Sequence, residues 1–144
     1  MIIPEFCVLS RERMLANLED FIRISRDIPH DNWAGPEYLM ELPGKWELSR
    51  ICCSGDELLG YIVASRKEPG WVHIHKYAVV TEARGHGIGR LMMQDFEREV
   101  RCEAHTISLK VYEDNSEAVG FYRKMNFSVT GHHKDMLVME LSLK

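Results

Sequence analysis

No apolar run in this chain approaches the roughly 20 residues that a membrane-crossing helix needs. Positive charge is not in excess either. The formal net charge is −4, which argues against a nucleic-acid partner, because neutralising phosphates takes a basic face. The start, Met1-Ile2-Ile3-Pro4-Glu5, lacks the basic opening and long apolar stretch of a signal peptide. A cytoplasmic location with no membrane partner is therefore the expectation. Cysteine is sparse: Cys7, Cys52, Cys53 and Cys102 show neither Cys-x-x-Cys spacing nor the histidine pairing of a zinc site. They read as reduced structural thiols, with no metal expected. Repeats, low-complexity tracts and linkers are also missing, so residues 1–144 read as one domain.

What is present is an ordinary globular composition, 45% hydrophobic and 28% charged over 144 residues, enough chain to bury a proper core. Glu5 to Leu9 suits a short strand. Ser10 is placed to cap a helix, with Leu9 and Met14 as a hydrophobic staple across it. Met14, Leu15, Leu18, Phe21 and Ile22 recur at helical spacing, predicting one amphipathic helix over Arg11 to Arg26. His30 to Pro36 reads as a loop, and Glu37 to Leu42 as a short second helix. Trp46 to Ser54, Leu58 to Arg66 and Trp71 to Val80 are strand-like, separated by Gly55-Asp56 and Glu68-Pro69-Gly70. Beyond Gly87 the period turns helical, with Ile88, Leu91, Met92, Phe96 and Val100 on one stripe. Thr106 to Val111 returns to a strand, Ser116 to Met125 to a helix, and Ser128 to Leu143 to a final strand pair. The predicted class is mixed α/β around one central sheet.

The glycines at 85, 87 and 89 join a strand to a helix. Such a junction leaves backbone N–H groups unpaired, and the helix dipole adds partial positive charge, so an anionic phosphate is favoured there. Glycine allows close approach and positive φ; Arg84 and Arg90 bracket the turn and can add charge-assisted hydrogen bonds. The competing reading is a surface loop without a ligand. A P-loop would need Gly-Lys-Ser/Thr, whereas Gly89 is followed by Arg90 and Leu91. A Rossmann turn follows the first parallel strand of a βαβ unit, whereas this one follows an antiparallel meander.

Arg84-x-x-Gly87-x-Gly89, preceded by Ala78-Val79, resembles the coenzyme A signature of the GNAT N-acetyltransferase superfamily. A second motif, Asn115-x-x-Ala118-x-x-Phe121-Tyr122-x-Lys124-x-x-Phe127, follows the strand Ile107 to Val111. The resemblance covers residues 46 to 143. It implies the acyl-CoA N-acyltransferase fold, with a central mixed, mainly antiparallel sheet flanked by helices. It also implies an enzyme with acetyl-CoA as donor and a primary amine as acceptor, joined in a ternary complex. Tyr77, Ala78 and Val79 would meet the pantetheine arm and acetyl carbonyl. Arg84, Gly85, His86, Gly87, Ile88, Gly89 and Arg90 would hold the pyrophosphate. Asn115 would bond the pantetheine arm, Tyr122 would protonate the departing thiolate, and Lys124 could approach the nucleotide phosphates. Asn126 replaces the family's usual glycine, and asparagine tolerates the left-handed geometry of a helix end.

Many relatives that acetylate protein N-termini carry a glutamate where this chain has Lys110. Instead, His73 and His75 lie two apart on the strand before the glycine turn, which predicts one shared face, together with Tyr77 and Val79. Their spacing resembles that of the arylalkylamine N-acetyltransferases, in which such a pair passes the amine proton to water. His73, His75 or water is the expected base, against the alternative of a solvated face. His105, His132 and His133 read as surface residues. In the implied fold the acceptor site lies opposite the coenzyme. Asp27 to Tyr38, including His30, Asp31, Trp33 and Tyr38, is then the specificity segment, unless it is a plain loop with Trp33 in the core. A small-molecule amine is favoured; a protein acetyltransferase or a non-catalytic acyl-CoA-binding module is the alternative, and the sequence leaves monomer or homodimer open.

Overall fold

A computed structural model of the chain describes residues 2–143. Seven strands form one sheet in the order β1-β2-β3-β4-β5-β7-β6. They are β1 (Glu5–Val8), β2 (Arg50–Ser54), β3 (Glu57–Glu68), β4 (Trp71–Val79), β5 (Thr106–Tyr112), β6 (Ser128–His133) and β7 (Met136–Ser142). Every neighbouring pair is antiparallel except β4 and β5. This is the expected mixed, mainly antiparallel architecture.

The helices are α1 (Arg11–Ala16), α2 (Leu18–Ser25), α3 (Gly35–Leu39), α4 (Lys45–Leu48), α5 (Ile88–Val100) and α6 (Ser116–Lys124). The Ser10 cap forms as expected, its hydroxyl accepting from the Arg13 N–H at 3.1 Å, with Leu9 and Met14 buried beside it. The single helix predicted over Arg11 to Arg26 is broken at Asn17. Its φ is −122°, and its carbonyl accepts from both Asp20 and Phe21 while its side chain accepts from Arg13 Nε at 2.6 Å. Asparagine's competition with the backbone explains the break. The strand predicted from Trp46 begins later, at Arg50, because Lys45–Leu48 is one helical turn after the left-handed Gly44. The second helix starts two residues early, with Pro36 in its first turn. Of the apolar stripe on α5, Leu91 faces outward while Ile88, Met92, Phe96 and Val100 are buried. Asn126 takes φ 75° after α6, as its position requires.

Helices α2 and α3 cover the face of the sheet that carries Tyr61. Phe21 lies 4.7 Å from the Tyr61 ring, and the Tyr38 hydroxyl is 2.9 Å from the Tyr61 hydroxyl. Helix α5 covers the opposite face, where a Cβ on Gly60 would meet Met92 Sδ at 3.4 Å. Two buried cations hold these layers. Arg50 Nε and Nη2 donate to the Asp95 carboxylate at 2.8 and 3.1 Å, tying α5 to β2. Lys45 Nζ donates to the carbonyls of Tyr38 and Met40, both at 2.6 Å, closing the end of α3.

Two of the four free thiols, Cys52 and Cys53, are buried; Cys7 and Cys102 are exposed, so packing accounts for half of them. No helix of the described residues is long and apolar enough to cross a membrane.

The Arg50–Asp95 pair gives a stability prediction. Asp95→Ala strands a buried guanidinium, with Glu99 4.0 Å away as a partial substitute. The expected loss is about 3 kcal/mol, the lower end of the range for breaking one partner of a buried pair, read as a lowered urea midpoint.

Candidate active site

The parallel pair β4/β5 is short. Trp71, Val72, His73 and Ile74 pair with Thr106 to Leu109, and there the pairing stops, although β4 runs on to Val79 and β5 to Tyr112. On its other side β4 carries a bulge: Val63 pairs with Lys76 but Ala64 with Ile74, leaving His75 as the extra residue. A bulge bends its strand and increases the local twist. The two strands part, and a cavity of about 770 Å³ fills the opening.

Val80 N–H donates to Leu59 O at 2.8 Å. Alternation along an antiparallel ladder then turns the N–H and C=O of Val79 and Tyr77 away from β3, into the opening. Gly60 belongs to the same device, since a Cβ there would meet Ala78 O at 2.7 Å.

At the cavity's far end lies the glycine turn. Gly85 and Gly87 have φ of 85° and 75°, which glycine adopts without a steric penalty. Gly89 is glycine for a different reason: a Cβ would sit 2.7 Å from the Tyr77 hydroxyl, which donates to Gly89 O. Among the described residues no protein group accepts from the N–H groups of Gly85, Gly87, Ile88, Gly89 and Arg90. Five free donors at the start of the thirteen-residue α5, with Arg84 and Arg90 beside them, suit a pyrophosphate.

The α6 side completes the wall. Asn115 caps α6, its side-chain carbonyl accepting from Ala118 N–H at 3.2 Å, which leaves its amide NH₂ free for a ligand. Tyr122 is buried against Phe127 and Tyr77 yet lines the cavity. Burial raises its phenol above the ordinary range, so it stays protonated at neutral pH and can donate. Phe121 is the more exposed of the two aromatics, and both line the cavity.

The structure corrects the face assigned to the histidines. Tyr77 pairs with Ile62 and His73 with Ser65. Ile62 and Ser65 are three apart on a stretch of β3 that lies between its own bulges at Leu59 and Lys67, so they point to opposite faces. His75 joins His73, its ring 4.9 Å away and its Nε2 2.7 Å from Ser65 Oγ. The period-2 argument failed at the bulge. Both histidines therefore stand on the α2 side, away from Tyr77. His75 lines the cavity; His73 and His86 do not. Burial, with His75, Lys67 and Lys110 adding repulsion, pushes His73 down to about 4. Burial and the Lys45 charge also lower His75. Both imidazoles are neutral at pH 7. In the tautomer whose Nε2–H donates to Ser65 Oγ, the His75 Nδ1 keeps a lone pair for a proton.

Tyr38, expected on the acceptor side, is a core residue instead, bonded to Ser25 and Tyr61. Lys124 lies outside the cavity. What sequence reasoning missed is Lys76. It is buried, ion-paired with Asp31 and 5.1 Å over the Trp33 ring. Burial lowers its ammonium to about 8. The signal was there: a lysine interrupts the alternating apolar positions Val72, Ile74 and Ala78.

A family model described as the Acetyltransferase (GNAT) family matches residues 17–127. Peptidyl-lysine N-acetyltransferase YjaB of Salmonella typhimurium is 32% identical over 76 residues, 53% of this chain and 46% of that protein. The chain thus spans about half the length of the curated relatives it matches. Ard1 from Thermoplasma volcanium superposes with a TM-score of 0.84 at 22% identity, covering 98% of each chain. Diaminobutyrate acetyltransferase EctA from Paenibacillus lautus, solved with L-2,4-diaminobutyric acid and coenzyme A, gives 0.75 at 16% identity over 99% of this chain and 96% of that one. At such identities the two structures speak for the fold alone.

Two predictions come from this geometry. Gly89→Ala is expected to lower stability by about 1–3 kcal/mol through overpacking against the Tyr77 hydroxyl. In a double-mutant cycle on urea midpoints, Tyr77→Phe should recover part of that loss. His73 binds a proton less readily folded than unfolded, so its stabilising contribution is complete above pH 6.5 and is lost as pH falls toward 4. The loss is up to about 3 kcal/mol, and His73→Gln should flatten the stability profile over that window.

Proposed function

The chain belongs to the Acetyltransferase (GNAT) family, and from that premise we propose that it moves an acetyl group from acetyl-CoA to a primary amine by direct attack in a ternary complex. The observation that carries this reading is one continuous cavity. It runs from the free N–H groups of the glycine turn, past the unpaired backbone of Tyr77 and Val79, to the Tyr122 phenol. A phosphate, a pantetheine arm and a thioester need those three environments in that order.

The pyrophosphate of acetyl-CoA would rest on the turn from Gly85 to Arg90, with Arg84 and Arg90 adding charge. The pantetheine amides would complete the open edge of β4, and the Asn115 NH₂ would donate to the same arm. The thioester carbonyl then meets the Val79 N–H, which stabilises the oxygen as it becomes an oxyanion. An alkylamine enters protonated, and freeing its lone pair at pH 7 costs about 4–5 kcal/mol. His75 takes that proton, directly or through water. The amine nitrogen bonds to the carbonyl carbon, the C–S bond breaks, the thiolate takes the Tyr122 proton, and the second proton leaving the nitrogen returns through water to the Tyr122 phenolate. The products are the N-acetyl amine and coenzyme A.

A small-molecule amine is the favoured acceptor. His75 lines the cavity on its α2 side, and Lys110 occupies the position where the resembled relatives acting on protein N-termini carry a glutamate. YjaB is named for peptidyl-lysine and EctA for diaminobutyrate, so the fold accommodates both kinds of acceptor. We read residues 1–144 as one catalytic domain.

A coenzyme A release assay over amines, amino acids and peptides tests the proposal, with thermal shift by acetyl-CoA as the binding control. Tyr122→Phe should lower kcat on the order of 100-fold with little change in the KM for acetyl-CoA. Full activity in that variant would remove the acid role. No turnover with any acceptor, joined to no thermal shift, would remove the enzyme.

A further inference from the structure

The segment between α2 and α3 crosses the opening between β4 and β5, and its neighbouring residues are held on opposite banks. Asp31 is paired with Lys76, which projects from β4 just after the bulge. His30, the preceding residue, reaches the far bank. Its ring stacks on Tyr112 at 4.0 Å, and its Nε2 lies 3.1 Å from both carboxylate oxygens of Asp114, just past the end of β5. His30 has φ of 64°, a left-handed conformation rarely taken by a residue with a side chain. That conformation lets consecutive side chains leave in opposite directions. A third tie holds the start of the crossing, where the Thr81 hydroxyl donates to the Asp27 carboxylate at 3.3 Å.

The last hairpin docks at the same place. Glu113 N–H donates to Asp135 O at 3.0 Å, at the turn between β6 and β7. Adjacent residues Glu113 and Asp114 thus receive the hairpin and the crossing segment, respectively. An extended peptide laid over the acetyl site would have to pass between those two elements, and the ties to Glu113 and Asp114 close that route. The cavity beneath, lined by His75, Lys76, Lys110, Tyr112 and Met136 among others, is shared by donor and acceptor. Its volume of about 770 Å³ is within the range of a site for one drug-sized ligand.

We infer that residues 27–34 form a strap, pinned to β4 by Asp31–Lys76 and to the end of β5 by His30–Asp114, that restricts the acceptor to compact amines and excludes polypeptide chains. This rests on the acetyltransferase reading above. His30 and Asp114 act through the shape of the cleft. They are specificity-determining residues and take no part in the chemistry.

The test compares kcat/KM for 2-phenylethylamine and 1,4-diaminobutane with that for a lysine-containing hexapeptide with a free N-terminus. Wild type, His30→Ala and Asp114→Ala are assayed together. Both substitutions fall at exposed side chains, so the fold is expected to survive them. The peptide-to-amine ratio should be low in wild type and rise at least tenfold in each variant. A wild type that uses the hexapeptide as well as the compact amines overturns the inference, as does a ratio unchanged in both variants. Hydrogen exchange over residues 27–34 supplies a readout independent of turnover. It should quicken about tenfold or more in Asp114→Ala, and unaltered exchange means the His30 tie holds nothing. Absence of turnover with all three acceptors would count against the acetyltransferase reading and the selectivity built on it, while the exchange result would still decide whether the strap is pinned.

Discussion

Two parallel strands that separate after four paired residues govern this molecule. A buried strand edge with unpaired amides is costly, because each backbone donor or acceptor needs a partner. Here the edge of β4 from His75 to Val79 has none from β5, and the cost is tolerable only if water or a ligand supplies the missing bonds. The bulge at His75 opens the gap and also decides which side chains face which half of it. Tyr77 turns toward α5 and α6, where its hydroxyl fixes the first turn of α5. His75 and Lys76 turn toward α2, where they meet Ser65 and Asp31.

Buried charge surrounds that opening. Lys45, Lys76 and the Arg50–Asp95 pair are all withdrawn from water, and each is satisfied by a carboxylate or by carbonyls. Such groups add little net stability but punish any alternative arrangement severely. They hold α3, the 27–34 segment and α5 at fixed distances from the sheet. The cleft keeps its shape because its surroundings have so few satisfactory alternatives.

Local rules made much of this legible before any coordinates. Ser10 as a cap, Asn126 as a left-handed helix end and the glycines at 85 and 87 each answer to one short-range constraint. The sequence of elements around one central sheet followed from patterns of two and 3.6, and the mixed, mainly antiparallel sheet from the resemblance to the acetyltransferases. What stayed hidden depended on pairing at a distance. The bulge at His75 is invisible in the strand's own sequence, because it is defined by the register against β3, and it reversed the face assigned to both histidines. Tyr38 looked like a site aromatic because its partners, Ser25 and Tyr61, lie 13 and 23 residues away. Gly89 was legible as glycine but for the wrong reason, since its constraint is the Tyr77 hydroxyl. Lys76 could have been found, being a charge on the apolar alternation of β4. Its partner Asp31 could not.

The central claim is that the open edge of β4 and the start of α5 are completed by acetyl-CoA. Amide hydrogen exchange, resolved by residue with and without acetyl-CoA, tests it most directly. The amides of Tyr77 and Val79, together with those of Gly87 to Arg90, should exchange quickly in the free protein and slow markedly when acetyl-CoA is added. Protection that appears elsewhere while these amides stay fast would contradict the account.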